Sequence, residues 1–206
     1  MKYEWKKEEK KYYLPKTEPE LVNIPFSKYI TIKGHGDPNK AEFSKRVEAL
    51  YLVAYGIKML PKSGYIPNGY YEYTVYPLEG IWSICEEAKS KNSFAKDEFV
   101  YKIMIKQPEF VTLEIFQKVI SMKNKKKTTP LFNELTFEII EDGLVVQMLH
   151  CGSYDDEIKS FNKMNDFLKN NNLNRIGCEH KEIYLSNPKK TEVKEMKTVL
   201  RFFVSK

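Results

Sequence analysis

The sequence predicts an α+β fold built from two tandem strand–helix–strand–strand units. Two long amphipathic stretches, with apolar residues at helical spacing, each follow a glycine: Gly36 in the first half and Gly152 in the second. Short runs rich in β-branched and aromatic residues flank both stretches, as strands would. Two such units give a mostly antiparallel sheet with two long helices on one face, and the other face is then free to curve into a groove.

The 206 residues are expected to form one domain preceded by an arm. Residues 1–27 are charged and proline-containing, which predicts an extended arm with a short helix at its start. The domain then covers residues 28–206, with units at approximately 28–107 and 133–206. A helix and a Lys-rich linker are predicted to join the two units.

The elements of the first unit follow in order. Alternation of Tyr, Thr and Lys with Ile predicts a strand at 28–34. Asp37 as cap and Pro38 at the first helical position predict a helix from about 39 to 59. Its apolar stripe comprises Phe43, Val47, Leu50, Tyr51 and Ala54. Further strands are predicted at 70–76, 81–85 and 99–105, separated by a turn at 77–80 and a polar loop at 87–97.

The second half begins with a helix from about 112 to 123, capped by Thr112. Strands are predicted at 135–140 and 145–151 around a turn at 141–144. A capping box from Ser153 to Asp156 starts the second long helix, which stops at 170–172. The stripe of this helix comprises Ile158, Phe161, Met164 and Leu168. Strands at 181–186 and 197–204 complete the unit.

The composition argues against several classes of protein. With 34 basic and 28 acidic residues the net charge is +6, which is mild for a nucleic-acid binder. The densest basic run, Lys123 and Lys125–Lys127, is better explained as a solvated linker. Three cysteines without framework spacing predict reduced thiols, and neither a signal peptide nor a membrane helix is recognisable. We therefore expect a cytoplasmic protein without a membrane partner.

A carboxylate and a phenol stand side by side in K-E-I-Y-L-S at 181–186. In a strand, Glu182 and Tyr184 point one way while Ile183 and Leu185 form the core face. Since the chain has 14 Tyr, 12 Phe and 2 Trp, aromatic rings can surround the acid. An acid in such surroundings can balance a cation or accept a proton from water. The alternative, an exposed glutamate paired with a lysine, is equally compatible with the residues.

Other aromatic and polar residues are candidates for the same site. Tyr184 can stabilise an oxyanion, and Trp82 can form a flat wall for a planar ligand, although ordinary core packing explains either residue as well. His150 and Tyr154 bracket the turn at Gly152, but a strand histidine is more often structural than catalytic. The acids Asp155, Asp156 and Glu157 are sufficiently explained by the helix dipole.

A metal site has little support in the sequence. His150, Cys151, Cys178 and His180 carry suitable atoms, but the H-C and C-x-H spacings do not let ligand pairs converge on zinc. The sequence also contains no P-loop, no G-x-G-x-x-G and no nucleophile elbow. We therefore expect neither a metal nor an organic cofactor.

The segment H-C-G-S-Y-D-D-E before a helix, followed by E-I-Y-L-S-N-P and a closing K-T-V-L-R strand, resembles the GyrI-like small-molecule-binding domain. The match extends to a stand-alone subfamily and covers nearly the whole chain. Its upstream segments are Y-L-P-K, G-D-P-N, P-L-E-G-I-W, I-K-Q-P-E-F-V-T and Q-M-L-H-C-G.

This resemblance implies two tandem units with a ligand cleft between them. Relatives fused to helix-turn-helix domains sense amphipathic, often cationic drugs, and stand-alone relatives include hydrolases that open the cyclopropane of DNA-alkylating natural products. The resemblance makes Glu182 the central acid of the cleft. Relatives commonly carry a second His just before this Glu, whereas here Lys181 follows His180, which would change the charge balance if Lys181 reaches the site.

The leading hypothesis is a detoxifying protein that binds a planar aromatic small molecule. Glu182 would activate water for attack on a cyclopropane carbon, and Tyr184 or Tyr101 would stabilise the developing phenolate. Candidate ligand-binding residues are Trp82, His150, Tyr154, Lys181, Tyr71 and Tyr73. The alternatives are a non-catalytic binder or sensor of amphipathic or cationic aromatic drugs and, less favoured, a nucleic-acid accessory protein that uses the lysine run. The sequence leaves the oligomeric state open.

Overall fold

The computed structural model describes residues 2–84, 95–125 and 129–206, and the chain divides into two compact units. Unit 1 comprises Met1–Glu4, Ser27–Tyr76 and Ile84–Ile140, and unit 2 comprises Trp5–Phe26, Pro77–Ser83 and Glu141–Lys206. Cys85, most of the predicted loop at 87–97, and Lys126 and Lys127 of the lysine run lie outside the described residues.

The described residues of unit 1 include three antiparallel strands and two long helices. Its strands are β2 (Ser27–His35), β4 (Phe99–Gln107) and β5 (Thr136–Ile140), and β2 pairs with both of the others. Its helices are α3 (Ala41–Lys58) and α4 (Leu113–Asn124). The predicted Thr112 cap is confirmed, since its side chain accepts a hydrogen bond from the Ile115 amide.

Unit 2 is built around an antiparallel sheet in the order β1–β6–β9–β8–β3, with β7 paired to β9. Its elements are α1 (Trp5–Glu8), α2 (Lys10–Tyr13), β1 (Glu20–Ile24), β3 (Leu78–Ile84), β6 (Gly143–Cys151), α5 (Glu157–Asn170), β7 (Asn174–Arg175), β8 (His180–Tyr184) and β9 (Lys197–Ser205). The α+β class and the antiparallel pairing of strands are therefore confirmed.

The helices are held by the apolar stripes that face the rest of their own unit. In unit 2, Met164 and Leu168 of α5 pack on Met148 of β6 and Leu200 of β9. Ile158, which the sequence assigned to this stripe, is instead 59% exposed. In unit 1, α3 buries Leu50, Val53, Ala54 and Ile57, and α4 buries Ile115, Phe116 and Val119.

A glycine lets α3 and α4 approach closely in unit 1. A Cβ at Gly56 would lie only 2.6 Å from Cγ1 of Val119, so a larger residue fits only if the Val119 side chain or helix α4 shifts.

Several local predictions were wrong, each for a physical reason. Helix α3 begins at Ala41 because the Asp37 carboxylate accepts a hydrogen bond from the Asn39 amide and closes a turn instead of capping a helix. Residues 77–80 do not form a turn, because β3 already begins at Leu78.

The tyrosine-rich run at 70–76 is not a strand, and its only ladder contact among the described residues is the bridge from Tyr73 to Tyr3. The rings of this run pack around Phe110. Their centroids lie 5.2 Å (Tyr70), 5.4 Å (Tyr71) and 5.9 Å (Tyr73) from the centroid of the Phe110 ring. Tyrosine favours strands largely because its ring packs well there, and here the same packing is found without the ladder.

The segment predicted as an arm contributes a strand to unit 2. Strand β1 pairs with β6, from Glu20 opposite Gln147 to Ile24 opposite Gly143. Val22 and Ile24 are buried against Val145. The sequence missed β1 because it is short and its partner lies in the second half of the chain.

Candidate functional site

The two faces of β8 carry different chemistry because successive side chains of a strand alternate. His180, Glu182 and Tyr184 share one face, while Lys181 and Ile183 point the opposite way. The structure thus brings together the carboxylate and the phenol singled out in the sequence.

Glu182 is only 8% exposed and is hydrogen-bonded to His180. Nε2 of His180 lies 2.9 Å from Glu182 Oε1, and Tyr184 lies close enough to the same carboxyl group for Glu182 to raise the pKa of the phenol. Of the two interpretations left open by the sequence, the structure excludes the exposed glutamate paired with a lysine.

Strand β3 adds a hydrogen bond to Tyr184. It pairs antiparallel with β8, so that Trp82 stands opposite His180 and Gly80 stands opposite Glu182. The indole Nε1 of Trp82 donates to Tyr184 Oη at 2.7 Å. Trp82 therefore fixes the phenol that in turn contacts the acid.

The ring of His180 is held from its other side by aromatic packing. Phe161 of α5 lies edge-on to His180 with centroids 4.9 Å apart, and it stacks on Phe202 of β9 at 5.5 Å. The guanidinium of Arg175 lies 3.7 Å from the centroid of Phe202. The histidine that orients Glu182 is thus itself positioned by a stack of rings.

The start of α5 adds a second carboxyl group and a second phenol. Tyr154 packs edge-on against Tyr184, with centroids 6.0 Å apart. Glu157, the first residue of α5, is 6% exposed, and its Oε1 has no hydrogen-bond partner among the described residues. We call Glu157, Glu182, Tyr154, Tyr184, Trp82 and His180 the acid cluster.

Burial and the charge of Glu182 shift the titration of its neighbours in the acid cluster. Burial, followed by the negative charges of Glu182 and Asp155, raises the pKa of Glu157 from 4.5 to about 9. Burial and then Glu182 also raise the pKa of Tyr154 to about 12 and hold that of Tyr184 well above its ordinary range. At neutral pH, Glu157 therefore keeps its proton.

This shift gives a stability prediction for Glu157→Gln. Between pH 4.5 and about 9 the folded chain keeps the Glu157 proton while the unfolded chain loses it. Stability of the wild type therefore falls with pH in this window, at most by about 1.4 kcal/mol per unit from this group. The glutamine variant lacks this loss, so its stability relative to wild type should rise between about pH 5 and about pH 8 in urea unfolding.

The matched control for this measurement is Asp166→Asn, on the same helix with its side chain 71% exposed. It removes a carboxyl group that is in water in both states, so its difference from wild type should not change with pH. A Glu157→Gln variant that follows the control would contradict the assignment of a neutral buried acid.

His150 also lies in unit 2, but its hydrogen bonds go to residues outside the acid cluster. It is buried on β6, with Nδ1 2.9 Å from Ser160 Oγ and Nε2 2.9 Å from the Ser153 carbonyl oxygen. Both ring nitrogens therefore form hydrogen bonds that connect β6 to the start of α5. This is the structural role expected of a strand histidine.

Lys181 does not reach Glu182, because it lies on the opposite face of β8. Its ammonium is fully buried, 2.9 Å from Glu79 Oε2 and 2.8 Å from Asp142 Oδ2. Arg201 Nη1 lies 3.1 Å from the same Asp142 oxygen, and Tyr13 donates to Glu79 Oε1 at 2.9 Å. We call Lys181, Glu79, Asp142 and Arg201 the buried ion cluster.

Three further candidates lie in unit 1. Tyr101, on β4, is 2% exposed and packs edge-on against Phe43 with centroids 5.1 Å apart. Tyr71 and Tyr73 belong to the aromatic group around Phe110. The buried hydroxyl of Tyr73 has no hydrogen-bond partner among the described residues.

Glu157 is the site residue that the sequence reasoning missed. It was assigned to the helix dipole, yet it stands four residues before Phe161 and seven before Met164. These positions share one helix face, so Glu157 heads the apolar stripe of α5. An acid in line with such a stripe was the signal that could have identified it.

Within residues 2–84, 95–125 and 129–206, His, Cys, Asp and Glu side chains nowhere gather in threes as metal ligands would. The helices described there are also too short or too polar to cross a membrane.

Solved structures match this chain over nearly its whole length. A hydrolase from Listeria innocua is 34% identical, with a TM-score of 0.90 and coverage of 99% of this chain and 100% of the other. An uncharacterised conserved protein from Listeria innocua is also 34% identical, with a TM-score of 0.91 over 99% and 100% of the two chains.

More distant matches agree with this fold. The C-terminal domain of EcmrR is 12% identical, with a TM-score of 0.54 over 92% of this chain and 98% of the other. The comparison with curated proteins found no match. The GyrI-like small molecule binding domain matches residues 17–203, and this chain therefore belongs to that family.

Proposed function

We propose that the protein is a hydrolase that opens the activated cyclopropane of planar aromatic, DNA-alkylating compounds, with Glu182 as the base. The observation that carries this proposal is the buried Glu182 carboxylate, hydrogen-bonded to His180 and adjacent to Tyr184. The hydrolase from Listeria innocua at 34% identity supports a hydrolytic reaction.

Glu182 supplies the proton acceptor for the reaction. A cyclopropane conjugated to a dienone is strained, and attack on its methylene carbon releases a phenolate. Water is a weak nucleophile, so a carboxylate that removes its proton during the attack lowers the barrier. The hydrogen bond from His180 fixes the carboxylate and thereby removes much of its freedom before the substrate arrives.

The aromatic members of the acid cluster supply the surface for a planar ligand. Tyr154, which is 39% exposed, offers a flat face next to the acid, and rings of this kind stack with aromatic ligands. Trp82 is only 6% exposed and supports Tyr184 through its hydrogen bond. Tyr184 places a neutral hydroxyl in the same cluster, since its pKa lies well above its ordinary range. Such a donor stabilises an oxyanion that develops as the ring opens.

The proposal is tested by the mass of the product. Incubation of a cyclopropyl dienone with the protein should yield a compound that has gained one water, as read by mass spectrometry. Heat-denatured protein is the control and should leave only the slow uncatalysed hydrolysis. Recovery of unchanged compound after it has bound saturably would contradict hydrolysis.

That contradicting outcome would favour the alternative, a non-catalytic binder of amphipathic or cationic aromatic drugs. The charge of Glu182 next to aromatic faces favours this alternative, since both attract a cation. It predicts saturable binding of cationic dyes that weakens when Glu182 is replaced by Gln.

A further inference from the structure

The acid cluster contains a carboxyl group that the mechanism above does not use. Glu157 is buried at the start of α5, and its Oε1 has no partner among the described residues. A buried polar atom normally finds a partner, because leaving it unpaired costs about 1–3 kcal/mol. In the acid cluster, the missing partner is most simply an atom of the ligand.

The groups around Glu157 decide its protonation. It interacts with ionisable groups near the start of its own helix and on the sheet: Tyr154, Asp155, Glu182 and Tyr184. Of the histidines in this part of unit 2, His150 is hydrogen-bonded to Ser160 and the Ser153 carbonyl, and His180 is hydrogen-bonded to Glu182. Among the described residues, no lysine or arginine is one of the charges that shift the pKa of Glu157, so its ionised form is opposed by burial, Glu182 and Asp155 together.

We infer that Glu157 is the proton donor of the site and delivers its proton to the ligand oxygen that becomes anionic when the ring opens. This inference rests on the proposed function and extends it from one catalytic carboxyl group to two. Glu157 takes the role of acid because it is buried with an unpartnered oxygen and keeps its proton, and Glu182, hydrogen-bonded to His180, takes that of base.

The step balances without a cofactor. The oxygen of water bonds to the cyclopropane methylene, and the breaking carbon–carbon bond sends its electron pair through the ring to the dienone oxygen. Glu182 takes a proton from the water, and Glu157 gives its proton to the dienone oxygen, which becomes a phenol. Glu182 now holds a proton and Glu157 does not, so transfer of that proton within the cluster restores the starting state.

The first test reads the protonation of Glu157 directly, without turnover. The infrared spectrum of the wild type near pH 7 should contain the C=O band of a protonated carboxyl group that is absent in Glu157→Gln and retained in Asp166→Asn. This band should disappear as the pH rises through about 9. A wild type without the band would overturn the inference.

The second test reads the reaction. Glu157→Gln keeps the size of the side chain and can still donate a hydrogen bond, but it cannot release a proton. Its kcat should fall about 100-fold or more with KM nearly unchanged. The wild-type kcat should decline above about pH 9, where Glu157 loses its proton, and the variant should lack this decline. Equal kcat values in the two proteins would overturn the inference.

The two proposals fail in different ways. If the wild type makes no hydrate, the hydrolase proposal is refuted. The role of Glu157 is then tested by the infrared C=O band of Glu157 when the dienone binds. A shift of that band supports a hydrogen bond from Glu157 to the ligand, and an unchanged band overturns it. A wild type that makes hydrate at the same rate as Glu157→Gln refutes the proton donor alone.

Discussion

Replacing Glu182 with glutamine is expected to slow cyclopropane opening by about 100- to 10,000-fold. The amide has the shape of the carboxylate and can still accept a hydrogen bond, but it cannot take a proton from water. The loss should therefore appear in kcat, while KM changes little because the aromatic surroundings of the ligand remain. Steady-state kinetics on a cyclopropyl dienone measures both constants.

The matched control for this variant is Glu179→Gln, which removes an exposed carboxylate three residues away. Its kinetics should equal those of wild type, since a charge in water far from the reacting atoms contributes little. Equal rates for Glu182→Gln and wild type would remove Glu182 from the mechanism. A rise in KM alone would instead indicate that Glu182 only binds the ligand.

The placement of Glu182 beside Tyr184 could be predicted because it depends on a local rule. Side chains two apart in a strand share a face, whatever the strand pairs with. The same rule separates Lys181 from Glu182, and the structure agrees. The elements with strong periodicity, α3 and α5 among them, were predictable for the same reason.

The partners of these residues could not be predicted, because they come from distant parts of the chain. Trp82 reaches Tyr184 only through the pairing of β3 with β8, and Glu157 reaches the acid cluster only because α5 packs on the sheet of unit 2. Burial also decides the chemistry of Glu157, and an acid in the first turn of a helix is usually exposed. The residue pattern of one segment shows neither these long-range contacts nor the burial of Glu157.

Replacing Lys181 with methionine is expected to destabilise the protein by about 3–5 kcal/mol. The ammonium lies between the carboxylates of Glu79 and Asp142, with none of these side chains more than 1% exposed. Burial alone would raise the pKa of Asp142, but Lys181 and Arg201 outweigh it and hold that pKa below its ordinary value. Methionine fits the space but leaves Glu79 as a buried charge with only the Tyr13 hydroxyl as its described donor.

Urea unfolding of three variants separates this cost from a simple loss of packing. Lys159→Met breaks a surface pair to Asp156 in which the lysine is 78% exposed, and should cost at most about 1 kcal/mol. Lys181→Met combined with Glu79→Gln removes the stranded charge and should recover most of the loss, while Asp142 keeps Arg201. A double variant no more stable than the single one would show that the cost lies in packing.

The buried ion cluster also bears on how Glu182 comes to face the aromatic side. A shift of β8 by one residue would exchange its two faces and move Glu182 towards Glu79 and Asp142. Three carboxylates would then meet in the interior without the ammonium that now neutralises two of them, which is far costlier than the observed pairing. Lys181 should therefore set the register that delivers Glu182 to the acid cluster, and Lys181→Met should lower the fraction of active sites even at temperatures where the variant stays folded.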